Sequence, residues 1–369
     1  MLFDNELFTP TPTSEDQART EAACAPLLLT PNPLRRAAHV AYLAEALAAP
    51  SQPAGWATYD ASRVWLTYWC LQGLDVLGAA HEPAVAALHP GVVAFLAACQ
   101  ASGGGFGGGP GQEAHAASTY AAVSALLIIG TPAALSVPHR PSLAAFFASL
   151  RQPSGALRVT ADGEADTRGA YTVLAVASLL NMASPALTSG TAAFLARCQS
   201  QEGGFGGEPG NEAHGGYTYC ALAALAVLGG GALGGVDAGA LARWLRARQM
   251  GAEGGFSGRC NKLVDACYSF WLAAACALAP GGGFEAEPAA RYVLRCAQVA
   301  AGGCRDKPGK SRDHYHTCYA LCGLSAAQGA GGGAGAEGGG GLHGVDPVFN
   351  LRPERVAAAR AYYGALPAL

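Results

Sequence analysis

Two kinds of helix alternate along this chain. The first is amphipathic: FFASLRQ, TAAFLARCQ, LARWLRARQ and RYVLRCAQ each carry apolar residues at helical spacing. In one of them Leu241, Trp244, Leu245 and Arg248 follow the i, i+3, i+4, i+7 rule, three apolar residues and an amphipathic Arg. The second kind, as in YTYCALAALAVLGG and CYSFWLAAACALA, is apolar nearly all round and belongs inside a fold. Between the two comes a Gln followed by a glycine-rich turn, at Gln100, Gln152, Gln199, Gln249 and Gln298. The aligned turn positions Phe106, Leu157, Phe205, Phe256 and Cys304 are 51, 48, 51 and 48 residues apart. Glycine suits the end of each helix because it takes the left-handed conformation freely.

Each repeat therefore reads as a helical hairpin, and a period of this size means stacked repeats. About six hairpins predict an all-α protein. Their number and the scarcity of charge favour closure into an α/α toroid, a ring with inner and outer helix layers, over an open solenoid. The ring is expected over residues 51–369, after an N-terminal tail and leading helix at 1–50. The stretch GAGGGAGAEGGGGLHG predicts a flexible Gly-rich loop at about 328–344.

Composition narrows the function. Length alone, at 369 residues, would suggest two or three domains, but the repeat reduces that to one ring. Apolar residues make up 51%, charged residues 13%, and the net charge is −3. That is no disordered chain, and without a dominant basic patch nucleic acid is not the expected partner. The uncharged, apolar stretch from Gly215 to Val236 is broken by glycines, so no spanning helix is expected there. The acidic start MLFDNELFTPTPTSED lacks a basic n-region. With twelve Cys and no such signal, a reducing, cytoplasmic setting follows.

One position near the start of each inner helix stands out. Aligned on the turns and on a Tyr three residues later, it holds Trp65, His115, Arg168, His214, Asp265 and His316, where Ala, Ser or Leu would be ordinary. In a closed ring these positions meet at the mouth of one cavity. Asp265 and Cys267 open one inner helix and His316 the next; carboxylate, thiolate and imidazole leave a fourth position open, as catalytic zinc sites do. Arg259, Lys262, His214 and Tyr268 add two cations, an imidazole and a phenol, donors that suit a diphosphate.

The runs GGFSGRCNKLVDACYSFW, GGFGGEPGNEAHGGYTYCALAAL and KPGKSRDHYHTCYALCGLS closely resemble those of the protein farnesyltransferase β-subunit family. The likeness extends from about Tyr59 to PVFNLRPERV near residue 356. It implies an α/α toroid with one catalytic zinc, transferring a prenyl group from its diphosphate to a carboxyl-terminal Cys-a-a-X thiol. Carried over by position, Asp265, Cys267 and His316 match the zinc ligands. His214, Arg259, Lys262 and Tyr268 match the diphosphate binders. Arg168, Tyr171, Gly216, Tyr217, Cys220 and Trp271 match the isoprenoid wall. Ser62, Trp65, Trp69 and Tyr315 match the region that meets the peptide, and Asp306 matches the carboxylate that holds magnesium near the diphosphate.

The resemblance further implies an α-subunit partner that completes the diphosphate site. Farnesyl diphosphate is the expected donor, because Trp65 and Tyr319 are bulky residues expected at the cavity floor. A geranylgeranyltransferase β subunit is the nearest alternative. A terpene cyclase would need a clustered acidic motif, and no DxDD or DDxxD is present. A zinc-bound repeat scaffold would have no use for Arg259, Lys262 and His214 together.

Overall fold

A computed structural model describes residues 10–48, 59–229, 231–330 and 341–369. Two helices come first, α1 (Pro12–Leu28) and α2 (Arg36–Leu47), then α3 (Arg63–Val76). A single turn, α4 (Pro83–Ala86), leads to α5 (His89–Ala98) and α6 (Ala116–Ile129). Another, α7 (Pro132–Leu135), leads to α8 (Arg140–Ser149) and α9 (Thr167–Leu179). Then come α10 (Pro185–Thr188), α11 (Thr191–Arg197), α12 (Gly215–Leu228), α13 (Ala238–Arg246), α14 (Tyr268–Leu278) and α15 (Ala286–Tyr292). A small ribbon, β1 (Cys304–Arg305) paired antiparallel with β2 (Arg312–Asp313), precedes α16 (His314–Ala330) and α17 (Pro353–Gly364). Within the loop expected at about 328–344, residues 328–330 complete α16, and 331–340 lie outside the described residues.

The apolar helices form the inner layer. α3, α6, α9, α12, α14 and α16 pack each against the next, and α16 packs back on α3, so the ring closes. α6 shows why: every residue of it except Ala117 is buried, as a helix with no charged residue on any face requires. The outer helices bury one face only. α13, for example, buries Leu241, Ala242, Trp244 and Leu245, while Arg248, just past its end, lies 5.2 Å from the Trp244 ring.

The repeated Gln is the ring's stitch. The side-chain carbonyls of Gln100, Gln199, Gln249 and Gln298 accept from the backbone N–H of His139, Asp237, Glu285 and Arg35 at 2.8–2.9 Å. Those four residues are the N-caps of α8, α13, α15 and α2. The turn glycine beside each Gln must be glycine. At Gly104, Gly203, Gly254 and Gly302 φ is positive, and a Cβ would lie 2.0–2.7 Å from a carbonyl oxygen of the next outer helix or its approach.

The last stitch places α2. Gln298 also contacts buried His39 at 2.9 Å, and the other His39 nitrogen accepts from Gly303 N–H at 2.9 Å. α2 is thus the outer helix of the first hairpin, so the boundary expected at residue 51 cuts through that hairpin. The N-terminal residues hold two helices where one was expected; α1 packs through buried Cys24 against the stretch after α15, and Asn32, in the connection to α2, donates to Leu294 O at 2.8 Å.

Candidate active site

In five of the six repeats a capping residue stands nine positions after the turn residue, at or just before the start of the inner helix. His115, Asp166 and His214 are N-caps, with side chains accepting from Ala117 N–H, from Arg168 and Gly169 N–H, and from Gly216 N–H. Asp265 accepts from Cys267 N–H and Asp313 from His316 N–H in the same way. The expected register holds at His115, His214 and Asp265 and slips at two others. Arg168 lies two residues past its cap, Asp166, and His316 lies three past Asp313. At the first repeat Arg63, whose backbone carbonyl accepts from the Thr67 hydroxyl at 2.9 Å, takes the place given to Trp65.

The caps decide protons. His214 Nδ1 accepts from Gly216 N–H at 3.0 Å, so the ring proton sits on Nε2. That nitrogen lies 2.9 Å from the Tyr268 hydroxyl. Burial, then the nearby Arg259 cation, pushes His214 down to about 4, and burial pushes the Tyr268 phenol up. His214 is therefore neutral and donates to Tyr268, whose own O–H is left to point elsewhere. Gly258 admits the Tyr268 ring: a Cβ there would be 2.0 Å from its Cζ. Arg259 pairs with Glu212 at 3.2 Å and lines the cavity, while Lys262, exposed on the same loop, does not.

One turn away, one donor atom from each of Asp265, Cys267 and His316 lies within 4.8 Å of the others. His316 Nε2 is 3.3 Å from Asp265, and its Nδ1 is 2.6 Å from Asp313. Burial opposes the charged imidazole, but the hydrogen bonds to Asp265 and Asp313 outweigh it and raise His316 to about 9. Burial and the Asp265 carboxylate push the Cys267 thiol up. Asp306 is half-buried, and the Lys307 ammonium contacts both its carboxylate oxygens. Its backbone carbonyl accepts from Ala266 N–H, which ties it to the Asp265–Cys267 turn.

A cavity of about 490 Å³ fills the ring, with Arg168, His214, Arg259 and Tyr268 at its mouth. Its wall includes Trp65, Tyr171, Gly216, Tyr217, Cys220, Trp271 and Tyr315, all singled out from the sequence. Arg168 is held by Asp166 and Glu164 and lies 5.5 Å over Tyr217. Trp69 stands behind the wall, 5.4 Å from the Tyr315 ring, and Ser62 precedes α3 outside it. Trp65 lines the cavity, but Tyr319, expected with it at the floor, does not. It is buried behind Trp271, with ring centroids 4.2 Å apart. Tyr120 also lines the cavity; it stands five residues past His115, whereas the tyrosine position read from the sequence was three residues on, which is Ser118.

The prenyltransferase α–α toroid domain family matches residues 34–351. Over 337 residues the chain is 39% identical to the protein farnesyltransferase β subunit of Arabidopsis thaliana, covering 73% of this chain and 69% of that one. It is 40% identical over 302 residues to the Schizosaccharomyces pombe subunit of the same name, covering 78% and 77%. The solved protein geranylgeranyltransferase-I of Candida albicans superposes with a TM-score of 0.73 at 20% identity, over 89% of this chain and 99% of that one, and shares the fold. No helix among the described residues is long and apolar enough to cross a membrane. Ring, cavity and sequence agree, and the chain belongs to the protein farnesyltransferase β-subunit family.

Proposed function

We propose that this chain is the catalytic β subunit of a cytoplasmic protein farnesyltransferase. It transfers the farnesyl group of farnesyl diphosphate to the cysteine thiol of a C-terminal Cys-a-a-X sequence, and it works with an α subunit. The observation that carries this reading is an adjacency: Cys267 of the Asp265–Cys267–His316 cluster is followed directly by Tyr268 of the anion-binding mouth. A site that could hold a metal and a site that could hold a diphosphate share one rim above an apolar cavity.

Zinc fits the cluster. One carboxylate, one thiol and one imidazole converge, and a carboxylate orients the imidazole, an arrangement common to zinc-bound histidines. When bound, zinc lowers the pKa of a substrate thiol at the open position. The chain's own residues do the rest. Trp65, Tyr171, Trp271 and Cys220 give the isoprenoid an apolar wall; at ~0.8 kcal/mol per buried carbon, fifteen carbons contribute up to ~12 kcal/mol before binding costs. Arg259 and Lys262 supply positive charge, and Tyr268 donates a hydrogen bond where the leaving diphosphate gathers charge. Tyr315 and Trp271 close the gap between cluster and cavity through a 3.3 Å hydrogen bond. Magnesium, usually held by one or two carboxylates plus phosphate, fits Asp306 in competition with Lys307.

The test is metal content with function. The chain purified with an α subunit should carry one zinc, and Cys267→Ala should lose both zinc and transfer while keeping its helical spectrum. Full zinc occupancy in that variant would overturn the ligand set.

A further inference from the structure

Five residues past the position that opens each helix, four consecutive inner helices carry Tyr68, Tyr120, Tyr171 and Tyr219. All four are buried. Neighbouring hydroxyls stand 3.0–3.4 Å apart, and each donates to a backbone carbonyl of one short loop. Tyr68 reaches Asn350 O at 3.2 Å and Tyr120 reaches Phe349 O at 2.7 Å. Tyr171 and Tyr219 share Val348 O at 2.8 and 3.0 Å.

That loop is tightly built. Asp346 Oδ1 accepts from Val348 and Phe349 N–H at 2.8 and 3.1 Å. The Asp346 backbone exchanges bonds with Leu351 and Asn350 at 2.7 and 2.9 Å. Asn350 sits at φ 47, a left-handed conformation that asparagine tolerates. Phe349 is buried with Arg360 of α17 5.5 Å from its ring centroid. Just beyond, Arg355 grips buried Asp75 of α3 with two bonds of 2.7 and 3.1 Å.

A ring of helices has two ends. The helix N-termini form the mouth with its cations and metal-binding cluster. The tyrosine belt lies about 7–8 Å further along the helices at 1.5 Å per residue, and the rings of Tyr120 and Tyr171 line the cavity there. A phenol with an unpaired hydroxyl would be a poor floor for an isoprenoid, because a buried hydroxyl needs a partner. Here the loop takes the hydroxyls from behind, so that aromatic faces meet the cavity and polar atoms do not. On the fifth helix the same position is Phe270, which needs no acceptor.

We propose that residues 346–350, acting through the hydroxyls of Tyr120 and Tyr171, are the stop that sets how long a prenyl chain the cavity takes. This rests on the prenyl-donor reading above. The loop touches no substrate; it acts by holding the floor rings in place. Loosening it should let the rings retreat and admit five more carbons.

The experiment uses the chain copurified with an α subunit, unmodified and as Asp346→Ala and Phe349→Leu. Affinities for farnesyl and geranylgeranyl diphosphate are measured by competition without peptide, alongside zinc content and melting temperature. The twenty-carbon to fifteen-carbon affinity ratio should rise at least tenfold in Asp346→Ala and severalfold in Phe349→Leu, with zinc content unchanged. If Asp346→Ala does not fold, the Phe349→Leu ratio decides. An unchanged ratio in a folded variant overturns the floor proposal alone. If the unmodified complex binds neither diphosphate, the prenyl-donor reading fails and the floor proposal falls with it.

Discussion

The Tyr268 hydroxyl stands 2.9 Å from His214 Nε2, and the backbone N–H of Gly216 decides which way that hydrogen bond runs. In the proposed mechanism the imidazole, by donating to the phenol oxygen, leaves the phenol proton free for the diphosphate. Tyr268→Phe and His214→Ala should each lower kcat by about a hundred- to a thousandfold, the scale of one donor to developing charge. The double variant should cost little more than the worse single one, since His214 acts partly through Tyr268. A double-mutant cycle on single-turnover rates measures this; additive losses would show that the two act separately.

The pH dependence has a definite sign. His214 lies near 4 in the fold against an ordinary 6.5, so the unfolded chain binds the extra proton first. Its neutral form costs nothing above pH 6.5, and stability falls as the pH drops from 6.5 toward 4, by at most on the order of 2 kcal/mol. His214→Gln should flatten that part of the stability curve. Denaturant melts at pH 7 and pH 5 of both forms check it.

Gly258 is a steric requirement of the mouth. Gly258→Ala would set a methyl group 2.0 Å from the Tyr268 ring and drive it off His214. The expected outcome is a loss of kcat as large as that of Tyr268→Phe, with zinc content intact. Normal turnover in Gly258→Ala would contradict the placement of Tyr268.

Lys307 occupies the carboxylate expected to hold magnesium. Removing the competing ammonium in Lys307→Ala should lower the magnesium concentration for half-maximal rate. A titration of turnover against magnesium reads this directly. An unchanged midpoint would mean that the two cations do not compete at Asp306.

Gln298 joins α2 to the ring. Gln298→Ala strands the His39 ring nitrogen and the Arg35 N–H and should cost about 2–6 kcal/mol at about 1–3 kcal/mol per orphaned group. Hydrogen exchange should show α2 opening first, while α9 and α12 stay protected.

The ring was legible because glycine turns and Gln repeat where outer helices end, and both are backbone requirements that sequence displays. The cavity residues were legible because charge, thiol and imidazole are rare at the start of apolar helices. Arg168 and His316 misled the register: two or three residues on from Asp166 and Asp313, they lie within one helical turn of the caps. The Thr four residues past a cap was the available signal, since Thr119, Thr218 and Thr317 each send a hydroxyl bond back toward the cap or turn. The stitching role of Gln was invisible, because each partner lies in the next hairpin. So was the floor: Tyr68 and Asn350 meet across 282 residues, and no local pattern marks a carbonyl as an acceptor.

The central claim is thioether formation on a Cys-a-a-X cysteine with a fifteen-carbon donor. Its direct test is the mass of a short Cys-a-a-X peptide after incubation with the chain, an α subunit, zinc, magnesium and both prenyl diphosphates in competition. The account predicts one farnesyl group on the cysteine sulfur, little geranylgeranyl product, and no product when zinc is chelated. A peptide that stays unmodified, or one that carries mainly the twenty-carbon group, would contradict it.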